Sequence, residues 1–230
     1  MKLVLTCEHG GNVIPEGFKV YFEKQEALLN SHRGYDLGAL DLFHHLNPLA
    51  GYTLHSETSR LLIELNRSLH HPKLFSEFTK SLLKAEKEQL INTYYLPYRV
   101  AVENTIRGWI NQSETVLHVS VHSFTPNLNG IERNCDIGLL FDSRRNGEKA
   151  FCKFFKEDIL SKDPNLKIRY NYPYLGKADG FTTHLRKQFQ NNYLGIELEV
   201  NQKYAIKNIF PEELKLILFS AIKSVLQSHF

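Results

Sequence analysis

Cysteine is scarce in this sequence, and long apolar runs are missing. The three cysteines, Cys7, Cys135 and Cys152, are odd in number and show no CxxC spacing, which argues against a disulfide framework and for a reducing compartment. No stretch approaches the roughly 20 apolar residues of a membrane span. The apolar run after Lys2 covers only about five residues, too few for the core of a secretory signal. We therefore expect a cytoplasmic protein that does not enter a membrane.

An excess of charge of one sign is also missing. The 28 lysines and arginines nearly balance the 25 aspartates and glutamates, giving a net charge of +3, and the basic residues are scattered. This balance gives no indication of a nucleic-acid partner. With 42% hydrophobic and 12% aromatic residues, the composition is typical of a globular protein. The length of 230 residues predicts a single domain over residues 1–230. Nothing in the composition predicts an oligomeric state.

Strand-like runs alternate with helix-like runs along the chain, which is typical of an α/β fold. The predicted strands are Leu3–Thr6, Tyr52–Ser56, Leu61–Leu65, Val116–Val121, Ile137–Phe141, Lys167–Tyr170 and Leu194–Val200. The predicted helices are Gly38–Leu46, Lys73–Leu83, Ala85–Gln112, Gly147–Leu160 and Pro211–Ser228, and a break near Pro97 is the alternative to a continuous third helix. Several strands are continuously apolar, as in sheets covered on both faces. We predict a three-layer α/β/α sandwich around a mixed, mostly parallel sheet.

Two of the predicted strands end on a histidine. His9 follows the first strand within Glu8-His9-Gly10-Gly11, where the glycines allow a tight turn close to a ligand, and His122 follows Val121. Ligands of open α/β sheets bind beyond the carboxyl ends of the strands. Two imidazoles and a carboxylate form a catalytic zinc set with one position left for water. We therefore predict that His9 and His122 bind a metal; a pair of structural histidines is the alternative.

The carboxylate ligand is marked less clearly. Glu8 is adjacent to His9, but neighbours on an extended strand point to opposite faces. Asp36 lies just before a predicted helix, where it could instead be an N-terminal residue of that helix. We predict Asp36 as the third ligand and keep Glu8 as the alternative. Zinc is the expected ion, and another divalent metal is the alternative.

Two arginines flank the apolar run Leu61–Leu65. A guanidinium matches a carboxylate through two parallel hydrogen bonds, and an amide adds a directed one. Asn66 and Arg67 are therefore predicted to bind a substrate carboxylate. Arg60, before the run, is placed to polarise a scissile carbonyl and stabilise its oxyanion. The alternative is a strand with solvated arginines at its ends.

Two acids alternate with apolar residues in the last predicted strand, so Glu197 and Glu199 share one face of it. Beside a metal, one of them can take a proton from water and deliver it to the leaving amine. An edge strand with a polar outer face is the alternative. The aromatic, turn-rich loop of residues 170–180 is expected to carry specificity. Asn171 and Tyr174, and Thr183 beyond the loop, are predicted to shape the acyl or side-chain pocket.

Together these segments resemble the N-formylglutamate amidohydrolase family. The matching segments, in order, are CEHGGNVIP, SRLLIELNRS, HSFTP, Arg133 before DIGLLFD, NYPYLGKADGFT and GIELEVNQ. They span most of the chain. The family looks like a distant branch of the zinc carboxypeptidase fold, which also contains aspartoacylase and succinylglutamate desuccinylase. The resemblance implies a zinc-carboxypeptidase-like catalytic domain that hydrolyses the amide of an N-acylated acidic amino acid such as N-formylglutamate.

The resemblance also implies roles for individual residues. His9 and His122 match the family's metal-binding histidines. Asn66-Arg67 matches the pair that binds the substrate carboxylate, and Arg60 matches the arginine before it. A metal-dependent hydrolase acting on a small N-acyl amino acid follows from these matches.

Further matches and departures concern the substrate and the base. Arg133 is implied to bind substrate, and Glu199 matches the family's acid, which favours it over Glu197 as general base. Asn12 stands where the common HxxE pairing has its glutamate, and Glu64 stands where relatives often carry aspartate.

Three functions are alternatives to the metal-dependent hydrolase. The first is a relative that only binds an acylated amino acid or a peptide end, and the second is a metallocarboxypeptidase acting on peptides. The third is a nucleophilic triad built on Cys7 near His9, or on Ser123 after His122. No GxSxG elbow accompanies either residue, and a cysteine within a strand is more often a small core residue. We therefore favour the metal-dependent hydrolase.

Overall fold

The computed structural model describes residues 1–228, and its centre is a six-stranded sheet. The strands of the protein are β1 Lys2–Cys7, β2 Tyr52–His55, β3 Val116–Phe124, β4 Asn127–Leu128, β5 Ile131–Glu132, β6 Ile137–Leu140, β7 Ile168–Tyr170 and β8 Tyr193–Asn201. The sheet has the order β2-β1-β3-β8-β6-β7, while β4 and β5 form a separate hairpin. Within the sheet β6 runs antiparallel to β8, and the other pairs are parallel. The predicted mixed, mostly parallel sheet is confirmed.

Helices cover both faces of this sheet. They are α1 Glu26–Leu29, α2 Ala39–Leu46, α3 Lys84–Leu90, α4 Leu96–Asn111, α5 Asn146–Lys162, α6 Phe181–Gln188 and α7 Glu212–Ser228. Helices α2, α5 and α7 share one buried core with Leu3 and Leu5 of β1, whereas α4 and α6 share a second core with Val4. Because side chains alternate along a strand, the two cores lie on opposite faces. The predicted three-layer sandwich is confirmed. None of the helices in residues 1–228 combines the length and apolar character that crossing a bilayer requires.

The predicted strand Leu61–Leu65 is wrong: this run is a buried loop. No helix or strand lies between β2 and α3. The carbonyls of the run accept hydrogen bonds from distant side chains instead of a neighbouring strand. Thr79 Oγ1 donates to Leu62 O at 3.0 Å, and Arg99 Nη1 donates to Leu65 O at 3.0 Å. The apolar side chains are buried as in a strand, but the backbone is satisfied without one.

The predicted helix Lys73–Leu83 is also wrong, and a helix was missed further on. The hydroxyls of Ser76 and Thr79 bind the carbonyls of Leu61 and Leu62, so the 73–83 segment serves as the partner of the buried loop. Ser and Thr side chains that bind backbone groups compete with helical hydrogen bonding. The missed helix is α6, which directly follows the predicted specificity loop.

The predicted helix Ala85–Gln112 is continuous, and Pro97 does not interrupt it. A π-helical turn, Ile91–Tyr95, joins α3 to α4, and Pro97 lies in the first turn of α4. The altered winding before Pro97 accommodates the hydrogen bond that proline cannot donate. It places Tyr95 beside the buried loop, where Tyr95 Oη donates to Arg67 O at 2.7 Å.

A buried ion pair links the helices on the two faces of the sheet. Arg186 of α6 donates through Nε to Glu148 Oε1 of α5 at 2.9 Å, and both residues are buried. The same carboxylate oxygen accepts Gly195 N at 3.1 Å, and Arg186 Nη2 donates to Gly195 O at 2.6 Å. Neither residue was singled out from the sequence.

Replacing Arg186 with methionine is expected to lower the free energy of unfolding by about 3 kcal/mol, because it removes the buried member of the two arginines that pair with Glu148 and leaves only the partly exposed Arg145. Urea denaturation followed by circular dichroism measures this. Arg107→Met removes an exposed partner of Glu103 and is expected to cost about 1 kcal/mol or less. Equal losses in the two variants would contradict the role assigned to the buried pair.

Candidate metal centre and substrate pocket

The turn after β1 carries His9 to the carboxyl edge of the sheet. Gly10 N donates to Ser56 O at 2.9 Å. A Cβ at Gly11 would lie 2.6 Å from Glu57 O, so a side chain at this position would collide with the neighbouring backbone. The two glycines therefore let the chain turn against the 56–57 segment and leave His9 facing the end of β3.

His9, Asp36 and His122 converge at this edge. One ligand atom of each lies within 4.8 Å of the others, and all three residues are buried. Asp36 Oδ2 lies 3.3 Å from His9 Nδ1 and 2.9 Å from His122 Nδ1. Asp36 precedes α2, but its backbone oxygen, not its carboxylate, accepts Ala39 N. The structure thus brings together the three ligands predicted from the sequence.

The hydrogen bonds made by the Nε2 atoms determine which nitrogen of each imidazole is left for a metal. His9 Nε2 contacts the Glu64 carboxylate, which only accepts hydrogen bonds. His122 Nε2 lies 2.8 Å from Ser120 Oγ, whose own proton goes to Glu8. Both Nε2 atoms therefore donate, and both Nδ1 atoms face Asp36 with their remaining lone pair or proton. Two lone pairs and a carboxylate oxygen repel one another unless positive charge lies between them, so this donor set fits a divalent metal.

Glu8, the alternative third ligand, lies behind His122. Its carboxylate accepts Tyr98 Oη at 3.0 Å and lies 3.2 Å from His122 Nε2. Burial raises the pKa of Glu8, but the hydrogen bonds to His122 and Ser120 and the positive charge of His122 act together against burial and hold that pKa well below its usual range. Glu8 therefore orients one of the two histidines predicted to bind the metal. The alternation of Ser120 and His122 along β3 could have revealed the serine in this group, whereas no sequence signal marked Tyr98.

Arg60 joins the inner and outer carboxylates of the centre. Its Nη1 donates to Asp36 Oδ1 at 3.1 Å, and its Nε donates to Glu64 Oε2 at 2.9 Å. Because Glu64 also contacts His9, one arginine fixes both a predicted ligand and the partner of another. Glu64 was noted in the sequence only as a departure from its relatives.

A cavity of about 280 Å³ opens over this centre. Its wall contains His9, Asp36, Arg60, Asn66, Arg67, His122, Ser123, Tyr174, Leu175, Ala178, Asp179, Glu197 and Glu199. Arg67 Nη1 donates to the backbone oxygen of Asp179 at 2.6 Å, and Asn66 Oδ1 accepts Phe181 N at 2.7 Å. Within residues 1–228 no acidic side chain forms an ion pair with Arg67, so its charge is available to an anionic group in the cavity.

Three predicted substrate-binding residues do not line the cavity. Arg133 lies behind Tyr174, with Nη1 3.2 Å from Tyr174 Oη. Asn171 Oδ1 accepts the backbone N–H of Phe141 and of Gly176, both at 3.0 Å, and so holds the loop in shape. Thr183 Oγ1 lies 3.4 Å from Gly176 O. Tyr174 lines the cavity, as do the other predicted substrate-binding residues, Asn66 and Arg67. Direct substrate contact by Arg133, Asn171 and Thr183 stays a prediction.

The two acids of β8 have different surroundings. Glu199 is in register with His122 across the β3–β8 pair and is 5% exposed. Its Oε2 is buried without a hydrogen-bond partner among the described residues. Burial raises the pKa of Glu199 to about 8. Glu197 Oε1, by contrast, accepts Thr182 Oγ1 at 2.8 Å. A free acceptor beside a ligand histidine favours Glu199 as the general base.

The raised pKa has a consequence for the metal-free protein. The pKa of Glu199 is about 8 when folded against 4.5 as the reference, so its contribution to stability is complete below pH 4.5 and is lost as the pH rises to 8. Glu199→Gln is therefore expected to unfold with a higher free energy than wild type at pH 8, and the difference is expected to shrink toward pH 5. Urea unfolding at both pH values, in chelator, measures this. A constant difference would contradict the burial argument.

Comparison with known proteins adds an independent observation. The family model described as N-formylglutamate amidohydrolase matches residues 1–205. None of the curated proteins has a matching sequence. Among solved structures, the gene product Atu2144 from Agrobacterium tumefaciens is 22% identical, with a TM-score of 0.77 over 98% of this chain and 92% of that one. N-formylglutamate amidohydrolase from Ralstonia eutropha JMP134 is 18% identical, with a TM-score of 0.75 over 99% and 94%.

A metallo-carboxypeptidase from Burkholderia cenocepacia aligns at 11% identity and a TM-score of 0.44, over all of this chain and 58% of that one. The two structures with TM-scores above 0.7 show the same fold as this chain. The family match covers the turn after β1, the buried loop, β3, the specificity loop and β8. It therefore includes every residue that lines the cavity. The chain is an amidohydrolase, a hydrolase acting on amide bonds, and it belongs to the N-formylglutamate amidohydrolase family.

Proposed function

We propose that this protein is a zinc-dependent amidohydrolase that cleaves the amide bond of an N-acyl acidic amino acid, with N-formylglutamate as the first candidate. The observation that carries the proposal is the convergence of two imidazole Nδ1 atoms and one carboxylate oxygen beside an unpaired glutamate. His9, Asp36 and His122 would hold the ion. A divalent cation there supplies a Lewis acid that makes water a better nucleophile near neutral pH and polarises a carbonyl.

Side chains in and behind the cavity wall transfer the proton, stabilise the oxyanion and orient the imidazoles. Glu199 accepts a proton from the attacking water and returns it to the amide nitrogen as the C–N bond breaks, giving a carboxylate and a free amino acid. Arg60 donates hydrogen bonds to the oxyanion that forms at the carbonyl oxygen. Glu8 and Glu64 hold the two imidazoles in place through Nε2.

The amino-acid half of the substrate is assigned to the clamp formed by Asn66 and Arg67. Arg67 is the cation of the cavity wall that lacks an acidic partner among residues 1–228, and it suits a carboxylate. The family match and the similarity to the Ralstonia amidohydrolase support N-formylglutamate as substrate. The cytoplasmic location and the single domain over residues 1–230 stay predictions from the sequence.

The proposal is tested by metal analysis followed by turnover assays. Purified protein is expected to contain about one zinc per chain and to release formate from N-formyl-L-glutamate. Removal of the metal with a chelator is expected to abolish turnover, and zinc is expected to restore it. N-acetyl-L-glutamate, N-succinyl-L-glutamate and N-formyl-L-methionine in the same panel define the acyl and side-chain preference.

Two results would contradict this function. Release of C-terminal residues from unmodified peptides, without deformylation, would indicate a metallocarboxypeptidase. Stoichiometric zinc without hydrolysis of any panel member would indicate a protein that only binds an acylated amino acid.

A further inference from the structure

Two acids of the cavity wall, Asp179 and Glu197, have no role in the proposed chemistry; Asp179 accepts the backbone N–H of Ser68 in the clamp loop, whereas Glu197 belongs to β8. It shares one face of β8 with Glu199, and the two mark different ends of the cavity. Glu199 is in register with His122, at the metal centre. Glu197 lies beside the carboxylate clamp, because a Cβ at Gly180 would be 3.1 Å from Glu197 Oε1 and 3.3 Å from Asn66 Oδ1. The β8 face therefore runs from the metal centre to the clamp.

The environment of Glu197 leaves one of its oxygens for a ligand. Oε1 accepts Thr182 Oγ1 at 2.8 Å, in the first turn of α6. This contact holds the carboxylate in place. Within the described part of the chain, no lysine, arginine or histidine forms an ion pair with Glu197. A carboxylate with one fixed and one free oxygen on a cavity wall is suited to an N–H donor or an ammonium group.

The order of groups along β8 matches the order of groups in an N-acyl amino acid. If the proposed function is correct, the scissile carbonyl lies at the Glu199 end and the amino acid's carboxylate lies on Arg67. The amide nitrogen is bonded to the carbonyl carbon on one side and to the Cα on the other, so it lies between these two points. That position is beside Glu197.

We propose that Glu197 forms the amino-group subsite of this enzyme: it accepts the N–H of the scissile amide and then binds the ammonium group of the released amino acid. The product is held as a zwitterion, with its carboxylate on Arg67 and its ammonium on Glu197. A specificity follows from this arrangement. Substrates must be secondary amides with an N–H, and N-acylated proline or N-methylated amino acids are excluded because their nitrogen has no proton to donate.

If Glu197 had only a structural role, Oε1 alone would be used. Among the hydrogen bonds of residues 1–228, Thr182 contacts Oε1 and no other atom of this carboxylate. The proposal adds a ligand for Oε2. The test therefore compares two ligands that differ only at the amino group. L-glutamate carries it, and glutarate is the same molecule with hydrogen in its place.

Isothermal titration calorimetry of the zinc-loaded protein measures both affinities without turnover. Wild type is expected to bind L-glutamate at least about tenfold more tightly than glutarate, because a hydrogen bond between the ammonium group and the Glu197 carboxylate strengthens binding by about this factor. In Glu197→Gln the ratio is expected to fall to about one. Glu157→Gln, an exposed acid on α5, is the matched control and is expected to keep the wild-type ratio. Should Glu197→Gln not fold, Glu197→Asp tests the same oxygen with a shorter reach.

Each outcome decides the proposal. A wild-type ratio near one overturns it, and so does failure of L-glutamate to bind. A ratio that persists in Glu197→Gln also overturns it, because direct coordination of the amine by zinc does not depend on Glu197. Failure of the proposed function is distinguished by catalysis: a protein that shows the expected ratios but hydrolyses no N-formyl amino acid keeps the subsite and loses the amidohydrolase assignment of substrate.

Discussion

His122→Ala is expected to bind no stoichiometric zinc and to lose amidohydrolase activity by more than about 10⁴-fold. His122 supplies one of the two imidazole donors that the described residues bring to the centre, and a catalytic zinc site needs three protein ligands. Its removal also leaves Glu8 without the partner that lies 3.2 Å away. Metal content after dialysis, measured by inductively coupled plasma mass spectrometry, gives the direct readout.

His70→Ala is the matched control for this variant. His70 is exposed in a turn far along the chain from the predicted ligands, so the control is expected to keep one zinc per chain and full activity. Circular dichroism distinguishes metal loss from unfolding. A folded His122→Ala protein with one tightly bound zinc per chain would remove the basis of the metal-centre assignment.

Glu199→Gln is expected to keep its zinc and to lower kcat by about 10²–10⁴-fold, with little change in KM. Glutamine preserves the shape of the side chain but cannot accept the proton of the attacking water. Because Glu199 contributes no atom to the His9–Asp36–His122 group, metal content is expected to stay at the wild-type level. Steady-state kinetics and metal analysis on the same preparation measure both quantities.

The Glu197→Gln variant is the comparison that separates the two acids of β8. If Glu199 is the base, Glu197→Gln retains much more of kcat than Glu199→Gln does. The opposite order, with Glu199→Gln active and Glu197→Gln inactive, would exchange the roles assigned to the two residues. The unpaired Oε2 of Glu199 and the occupied Oε1 of Glu197 are the structural reasons for the expected order.

The metal centre could be predicted from the sequence because its residues follow strands that are easy to recognise. β1 is buried from Leu3 onward and β3 along its whole length, and His9 and His122 lie near the carboxyl ends of these buried runs. The parallel pairing of β1 with β3 then brings His9 and His122 to one edge. Asp36 could be preferred to Glu8 as the third ligand from the sequence, because Glu8 and His9 are adjacent and neighbouring side chains on an extended strand point to opposite faces.

The surroundings of the centre were not predictable in the same way, because long-range hydrogen bonds determine them. Leu61–Leu65 has the composition of a strand, but Ser76, Thr79 and Arg99 satisfy its backbone from other parts of the chain. Asn171 and Thr183 were placed in the pocket by their position in or near an aromatic loop. In the structure Asn171 Oδ1 accepts the backbone N–H of Phe141 and of Gly176, while Thr183 Oγ1 accepts Arg186 Nη1 and lies near Gly176 O. Sequence spacing does not reveal these contacts.

The helix formed by the π turn and α4 supports both halves of the pocket. Tyr98 donates to Glu8 behind the metal centre, while Tyr95 donates to Arg67 O within the clamp loop. The two tyrosines are three residues apart on one helix, so the helix fixes the distance between the candidate metal centre and the clamp loop. If the proposed function is correct, a homologue of the amino acid with one methylene more between nitrogen and carboxylate is expected to bind more weakly, because a wider pocket would require this helix to change its winding.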